Sequence, residues 1–274
     1  MSGADLGGRA GSPPSQSGID EVCELLTLTG RAVATMMGAA PAGEAMICAS
    51  GALGFCGEAA ADLNMIVVQA APDPAGLLSR ALSRAEQLQL PCIAFVDPRA
   101  VEAIAPLAQA AGLEFAGTIP LMVFDAATPV SASRVCDIRE ATSPADASAA
   151  CDLAARAFSI DRGIVARAWE PTLTPDGPAR TFIAWDADAP RSAVTVARSG
   201  STAGIFTMAT DPAQHGRGWG RALLSTIMEQ QRRAGVQRFY LQATTAGLPL
   251  YGSLGYRTLV ELPVYVLGAA TQAP

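Results

Sequence analysis

The chain has 274 residues, enough for two ordinary domains; half are hydrophobic, and no run approaches the ~18 uninterrupted apolar residues of a membrane span, so a soluble, cytoplasmic protein with no membrane partner is expected. The formal net charge is −6, with 5 arginines against 13 acidic residues in 1–133 and 14 against 12 in 134–274; the second half better suits an anion, but it has no basic stripe with interleaved aromatics, which argues against nucleic acid. Six cysteines without a C-x-x-C pair and a single histidine argue against a metal site and for reduced, mostly buried thiols.

In chain order, residues 1–17 are rich in Gly, Ser and Pro with no apolar stretch, which suggests a disordered leader and not a secretion signal. A first domain is expected over 18–133. In it the apolar strand Met65–Gln69 leads through Asp73-Pro74-Ala75-Gly76 into a helix over Leu77–Gln87, followed by strand Cys92–Val96, another helix and a closing strand marked by Pro120. A second domain is expected over 134–268, with 269–274 as a tail. It opens with strand Arg134–Glu140, helix Ser143–Phe158 started by Ser143-Pro144, and a short helix Arg162–Trp169. Three strands follow, Thr181–Trp185, Ser192–Arg198 and Ala203–Thr210, separated by turn-formers. Helix Trp219–Ala234, strand Gln237–Gln242, helix Leu248–Leu254 and strand Leu262–Leu267 complete the order βααβββαβαβ. The fold class is mixed α/β.

The two halves share a plan. Ile205–Thr210 leads to Asp211-Pro212-Ala213 as Met65–Gln69 leads to Asp73-Pro74-Ala75, and each is followed by helix, strand, helix and a closing strand. Gly76 precedes Pro120 by about the interval that separates Gly220 from Pro263. Between the Asp-Pro and the glycine the first copy is six residues shorter, and those residues hold the whole glycine-rich loop. The alternative is two unrelated α/β stretches that match by accident.

That loop is His215-Gly216-Arg217-Gly218-Trp219-Gly220. Alternate glycines let successive N–H groups converge on one anion, the start of the next helix adds the positive end of its dipole, and Arg217 and Arg221 add charge. The glycine spacing fails the dinucleotide fingerprint G-x-G-x-x-G, and no Gly-Lys-Ser/Thr follows as in a P-loop. A structural glycine turn is the competing reading.

The run Met208-Ala209-Thr210-Asp211-Pro212-Ala213-Gln214-His215-Gly216-Arg217-Gly218-Trp219-Gly220-Arg221 resembles the cofactor motif R/Q-x-x-G-x-G/A of the GNAT N-acetyltransferases, and Leu250-Tyr251-Gly252-Ser253-Leu254-Gly255-Tyr256 resembles their L-Y-x-x-L-G-F/Y segment. The resemblance covers roughly 134–268 and implies two GNAT-like mixed-sheet domains in tandem, only the C-terminal one with an intact acyl-CoA motif. It implies that Met208, Ala209 and Thr210 pair with a pantetheine arm and that His215, Gly216, Arg217, Gly218, Trp219, Gly220 and Arg221 hold the pyrophosphate of acetyl-CoA. Two positions depart from the motif: His215 stands for its Arg/Gln, and Thr245 for a frequent asparagine.

Tyr251 is the expected general acid, because a phenol stays protonated at neutral pH and can serve a departing thiolate; a buried core tyrosine is its alternative reading. The first copy has Ala108 or Ala110 there and so lacks both cradle and acid. No base is evident: the strand Ala203–Thr210 has no carboxylate, His215 sits at the phosphate end, and Asp211 and Glu170 read as solvated. Trp169, Trp185 and Trp219 read as packing residues rather than acceptor-site walls. The function expected is acetyl-CoA-dependent N-acetylation of a primary amine of a small molecule, by direct transfer in a ternary complex, with the first domain shaping the acceptor pocket or a homodimer contact. A non-catalytic acyl-CoA sensor and a protein N-acetyltransferase are the alternatives.

Overall fold

The computed structural model describes residues 16–125, 127, 136–175, 177 and 179–268. Most of the expected leader, and the 269–274 tail, lie outside the described residues. Gln16 and Ser17 do not: they open α1, Gln16–Gly38, so the leader expected to reach residue 17 gives way earlier to helix. Local composition loses here to tertiary burial. Val22, Leu25, Leu26, Thr29, Val33, Met36 and Met37 recur every three or four residues and form one buried stripe.

After α1 come β1 (Glu44–Cys48), β2 (Gly51–Phe55), β3 (Asn64–Val68), α2 (Pro74–Leu88), β4 (Cys92–Val96), α3 (Val101–Ala110) and β5 (Glu114–Asp125). The second half contributes β6 (Asp137–Glu140), α4 (Pro144–Phe158), α5 (Arg162–Trp169), β7 (Arg180–Asp186), β8 (Ala189–Ser199), β9 (Thr202–Thr210), α6 (Trp219–Arg233), β10 (Arg238–Gln242), α7 (Leu248–Leu254) and β11 (Arg257–Leu267). In the second half the order matches that expected from sequence, whereas in the first α1, β1 and β2 precede the expected elements. Ser143 caps α4 in a full capping box with Asp146, which fixes where that helix begins. The last strand starts at Arg257 rather than at Leu262, because Arg257, Thr258 and Val260 pair with Val123, Met122 and Leu121 of β5.

All strands join one sheet in the order β1-β2-β3-β4-β11-β5-β10-β9-β8-β7-β6. Apart from the extra edge strand β6, the order reads alike from both ends toward the centre, β1-β2-β3-β4-β11 mirroring β7-β8-β9-β10-β5. β3 is parallel to β4 and β9 to β10, while β5 and β11 run antiparallel through the middle. Each closing strand has crossed to the other half: β11 lies between β4 and β5, and β5 between β11 and β10. Ile119 faces Leu262, with Pro120 opposite Glu261 and Pro263 opposite Thr118, so the two prolines flank that pair symmetrically.

Side-chain alternation separates two layers. Ile119, Leu121 and Val123 of β5 join a core with α1, α4 and α5, whereas Met122 and Phe124 join a core with α6 and α7. On β4, Ile93 and Phe95 face the α1 side, and Cys92, Ala94 and Val96 face α2 and α3. Helices α1, α4 and α5 therefore share one face over the central strands.

Candidate acyl-CoA site

β9 runs into a short 3-10 turn, Pro212–Gln214, capped by Asp211, whose carboxylate accepts from the Ala213 amide at 3.0 Å. The loop then reaches α6 through Gly216 (φ 73°) and Gly218 (φ 83°), torsions in the left-handed region that favours glycine. A Cβ at either position would meet nothing within 4 Å, so the backbone there borders open space. Gly218 is the N-cap of α6 and offers no side chain to the first-turn amides, which have no intrahelical acceptor. The His215 ring nitrogen Nε2 donates to the Thr210 carbonyl at 3.1 Å, tying the loop back to the end of β9. The Arg221 guanidinium donates to the Ser253 hydroxyl on α7, and Arg217 is exposed in the loop.

The corresponding end of α2 is built differently. Its N-cap is Asp73, whose carboxylate accepts from the Gly76 amide at 2.9 Å. An anion thus already caps α2, while α6 is left uncapped.

Strand geometry makes a second contrast. Pairing of β9 with β10 runs from Thr202 with Arg238 to Gly204 with Tyr240 and stops, although β9 continues to Thr210. Against β8 there is a bulge between the pairs Ala193–Ala209 and Thr195–Phe206, with Thr207 at φ 46°. β9 and β10 therefore part and open a gap in the sheet. In the first half, β3 and β4 pair from Met65 with Ile93 to Val68 with Val96, and the Asp97 amide extends the ladder to the Val68 carbonyl at 2.8 Å.

The gap leads into a cavity of about 870 Å³. His215, Gly216, Gly218, Trp219, Gly220 and Arg221 line one part of it, with Met208 and Thr210 from β9 and Tyr251 from α7. Ala209, the remaining expected contact on β9, is fully buried and its carbonyl accepts from the Ser192 hydroxyl at 2.8 Å. Tyr251 is buried, its ring edge-on to Tyr256 at 5.8 Å, and burial pushes its phenol up to about 12.

The cavity continues under the shared helical face, where α1 supplies Thr29, Met36 and Met37 and the second half supplies Phe158 and Trp169. Gln242 of β10 donates to the Thr29 hydroxyl at 3.0 Å, which in turn donates to the Leu25 carbonyl at 2.8 Å, so α1 is fastened to the edge of the gap. Sequence reasoning missed this wall, although the buried periodicity of α1 was there to find. It also missed the bulge, for which the residues carry no signal. Trp169 and Trp219 line the cavity; Trp185 does not, and instead lies under the Arg139 guanidinium at 5.0 Å. Glu170 pairs with Arg162 at 2.7 Å and Asp211 with Arg156 at 3.6 Å, which accounts for both carboxylates structurally.

Residues 177–258 match the acetyltransferase (GNAT) domain family. That match lies within the second half and includes the glycine-rich loop and Tyr251. A GCN5-related N-acetyltransferase from Kribbella flavida superposes with a TM-score of 0.63 at 14% identity, over 90% of this chain and 98% of that one. A tandem GNAT protein from the clavulanic acid biosynthesis pathway superposes with a TM-score of 0.56 at 15% identity, over 93% and 97%. A GCN5-related N-acetyltransferase from Sphaerobacter thermophilus gives a TM-score of 0.52 at 15% identity, over 74% and 72%. No curated protein matches the sequence. At these identities the solved structures speak for the fold alone, a mixed α/β tandem arrangement, with the GNAT match lying over residues 177–258. Among the described residues no group of three or more His, Cys, Asp or Glu is placed to hold a metal, and no helix is long and apolar enough to cross a membrane.

Proposed function

We propose that the protein transfers an acetyl group from acetyl-CoA to a primary amine of a small molecule, directly and within a ternary complex. The observation that carries this reading is the uncapped N-terminus of α6 opening, through the gap between β9 and β10, into the cavity that holds Tyr251. The residues fit a pyrophosphate: left-handed glycines with clear space beside them lie at first-turn amides and the positive end of a helix dipole, and Arg221 lines the same cavity. His215, Gly216, Arg217, Gly218, Trp219, Gly220 and Arg221 would hold that group. Met208, Ala209 and Thr210 lie past the last pairing of β9 with β10, on the stretch where an extended pantetheine arm can lie as an added strand. Acetyl-CoA supplies the acyl group already activated as a thioester.

Tyr251 holds a proton on its hydroxyl throughout the neutral range, its phenol being pushed up to about 12, and so can protonate a departing thiolate. The acceptor side is walled by α1, which favours a small amine over a polypeptide. Calorimetry with CoA, followed by thiol release from acetyl-CoA across a panel of amines, tests the proposal. Binding without thiol release would establish a sensor, and no binding would refute the reading outright.

A further inference from the structure

The loop 56–63 between β2 and β3 is secured beyond what a strand connection needs. Asn64, fully buried, shares the two N–H groups of Nδ2 among the carbonyls of Glu58 at 2.8 Å, Ala60 at 3.0 Å and Pro91 at 3.0 Å, and accepts at Oδ1 from the Cys56 amide at 3.0 Å. Glu58 forms a two-pronged pair with Arg167 of α5, at 2.8 and 2.7 Å, which fastens the loop to the second half. Of this loop, Asp62 and Leu63 line the cavity, and Asp62 is its one charged group there.

Asp62 is partly buried and has no hydrogen bond or ion pair among the described residues. Desolvation alone holds its carboxyl above the usual carboxylate range. It is the sole carboxylate among the described residues lining the cavity, whose other titratable groups, His215, Arg221 and Tyr251, belong to the cradle and the α7 side. Between lie apolar groups, including Ile119, Phe95, Met65 and Val33. Four strand steps separate β10 from β3, on the order of 20 Å across the sheet at the usual ~4.8 Å spacing.

We propose that Asp62 binds a cationic group at the far end of an elongated acceptor, whose other end is the amine that is acetylated. The substrate class is then an amine with an apolar spacer and a distal ammonium, of which α,ω-diaminoalkanes are the simplest members. A hydrocarbon tail ending there would leave the carboxylate desolvated and unpaired, whereas an ammonium replaces its lost hydration with a charge-assisted hydrogen bond. The first half, which has no cradle of its own, thereby supplies the specificity of the site in the second. This rests on the transferase reading above.

The test compares α,ω-diaminoalkanes from 1,4-diaminobutane to 1,12-diaminododecane with n-alkylamines of equal length, as acceptors and as calorimetric ligands of the CoA complex. The ratio of diamine to monoamine kcat/KM is expected to climb with length to roughly 10- to 100-fold, the usual range for a hydrogen bond to a charged group. Asp62→Asn should collapse that ratio, Asp62→Glu should restore part of it, and neither should lower the melting temperature, because Asp62 supports no neighbour. A ratio flat with length, or unchanged by Asp62→Asn, overturns the proposal. If the wild type releases no thiol with any amine, the transferase reading fails but the binding arm still decides Asp62. Tight 1,12-diaminododecane binding lost in Asp62→Asn supports it; equal binding by both, or none by either, overturns it.

Discussion

Replacing Gly218 tests whether the N-terminus of α6 is an anion site. A side chain fits there sterically, since nothing lies within 4 Å of a Cβ, but the φ of 83° strains any L-residue by about 1–2 kcal/mol. Asparagine and aspartate are nearly isosteric, and both tolerate left-handed torsions better than most residues, so comparing Gly218→Asn with Gly218→Asp isolates charge. A carboxylate ~4 Å from a phosphate repels it by about 1 kcal/mol in bulk water and about 4 kcal/mol at an effective dielectric of 20. CoA should therefore bind Gly218→Asp about 5-fold to 10³-fold more weakly than Gly218→Asn, and added salt should narrow the gap. Aspartate there imitates Asp73, whose carboxylate already caps α2, and for the same reason calorimetry should find one CoA site per chain. Equal affinity of the two variants would refute the phosphate assignment, and two equivalent sites would refute the contrast between the helices.

Tyr251→Phe should slow single-turnover transfer by about 10²-fold or more while leaving CoA affinity and melting temperature nearly unchanged; wild-type rates would make Tyr251 a packing residue only. Thr29→Val removes the acceptor of the Gln242 amide and should cost about 1 kcal/mol in urea unfolding, so an unchanged midpoint would mean that this link between α1 and β10 contributes nothing. Burial pushes the Cys56 thiol up to about 11 and those of Cys92 and Cys151 up to about 12, while Cys23, Cys48 and Cys136 are partly exposed. Ellman's reagent at neutral pH should thus titrate no more than three thiols before denaturation and six after it; six fast thiols in the native protein would show the core to be open.

The second half was legible because its signals are local. Ser143 with Pro144 marks the start of α4, the alternate glycines mark the start of α6, and the helices Arg162–Trp169 and Leu248–Leu254 fall where their periodicity places them. The first half yielded less. Gln16, Ser17 and Gly18 continue the polar, small-residue leader, so the start of α1 is hidden although its apolar spacing from Val22 onward is helical, and β1 and β2 are five residues each. The cavity is harder still. Its walls come from α1, β4, β9 and α7, which lie far apart in the chain, and no spacing rule links Thr29 to Gln242 or Asp62 to Ile160. The repeat was visible as a similar interval from glycine to proline, yet the interval does not say that the closing strands change places.

That exchange bears on why a half without a cradle accompanies one that has it. β5 supplies the antiparallel partner of β10 from Leu121 to Asp125, so the edge of the GNAT domain next to the gap is completed by a strand of the first half. β11 returns the arrangement by pairing with β4 from Cys92 to Phe95. Removing the first half would leave β10 with an open edge and strip Leu241, Phe239 and Tyr240 of the strand that aligns them, while also exposing the α1-facing side of β11. The sheet on which β9 and β10 diverge is thus a joint product of both halves, and so is the cavity beneath it. In the first half Asp73 caps α2 and β3 stays zipped to β4, yet its closing strand, its long helix and its Asp62 loop help to wall the cavity that the glycine-rich loop also lines.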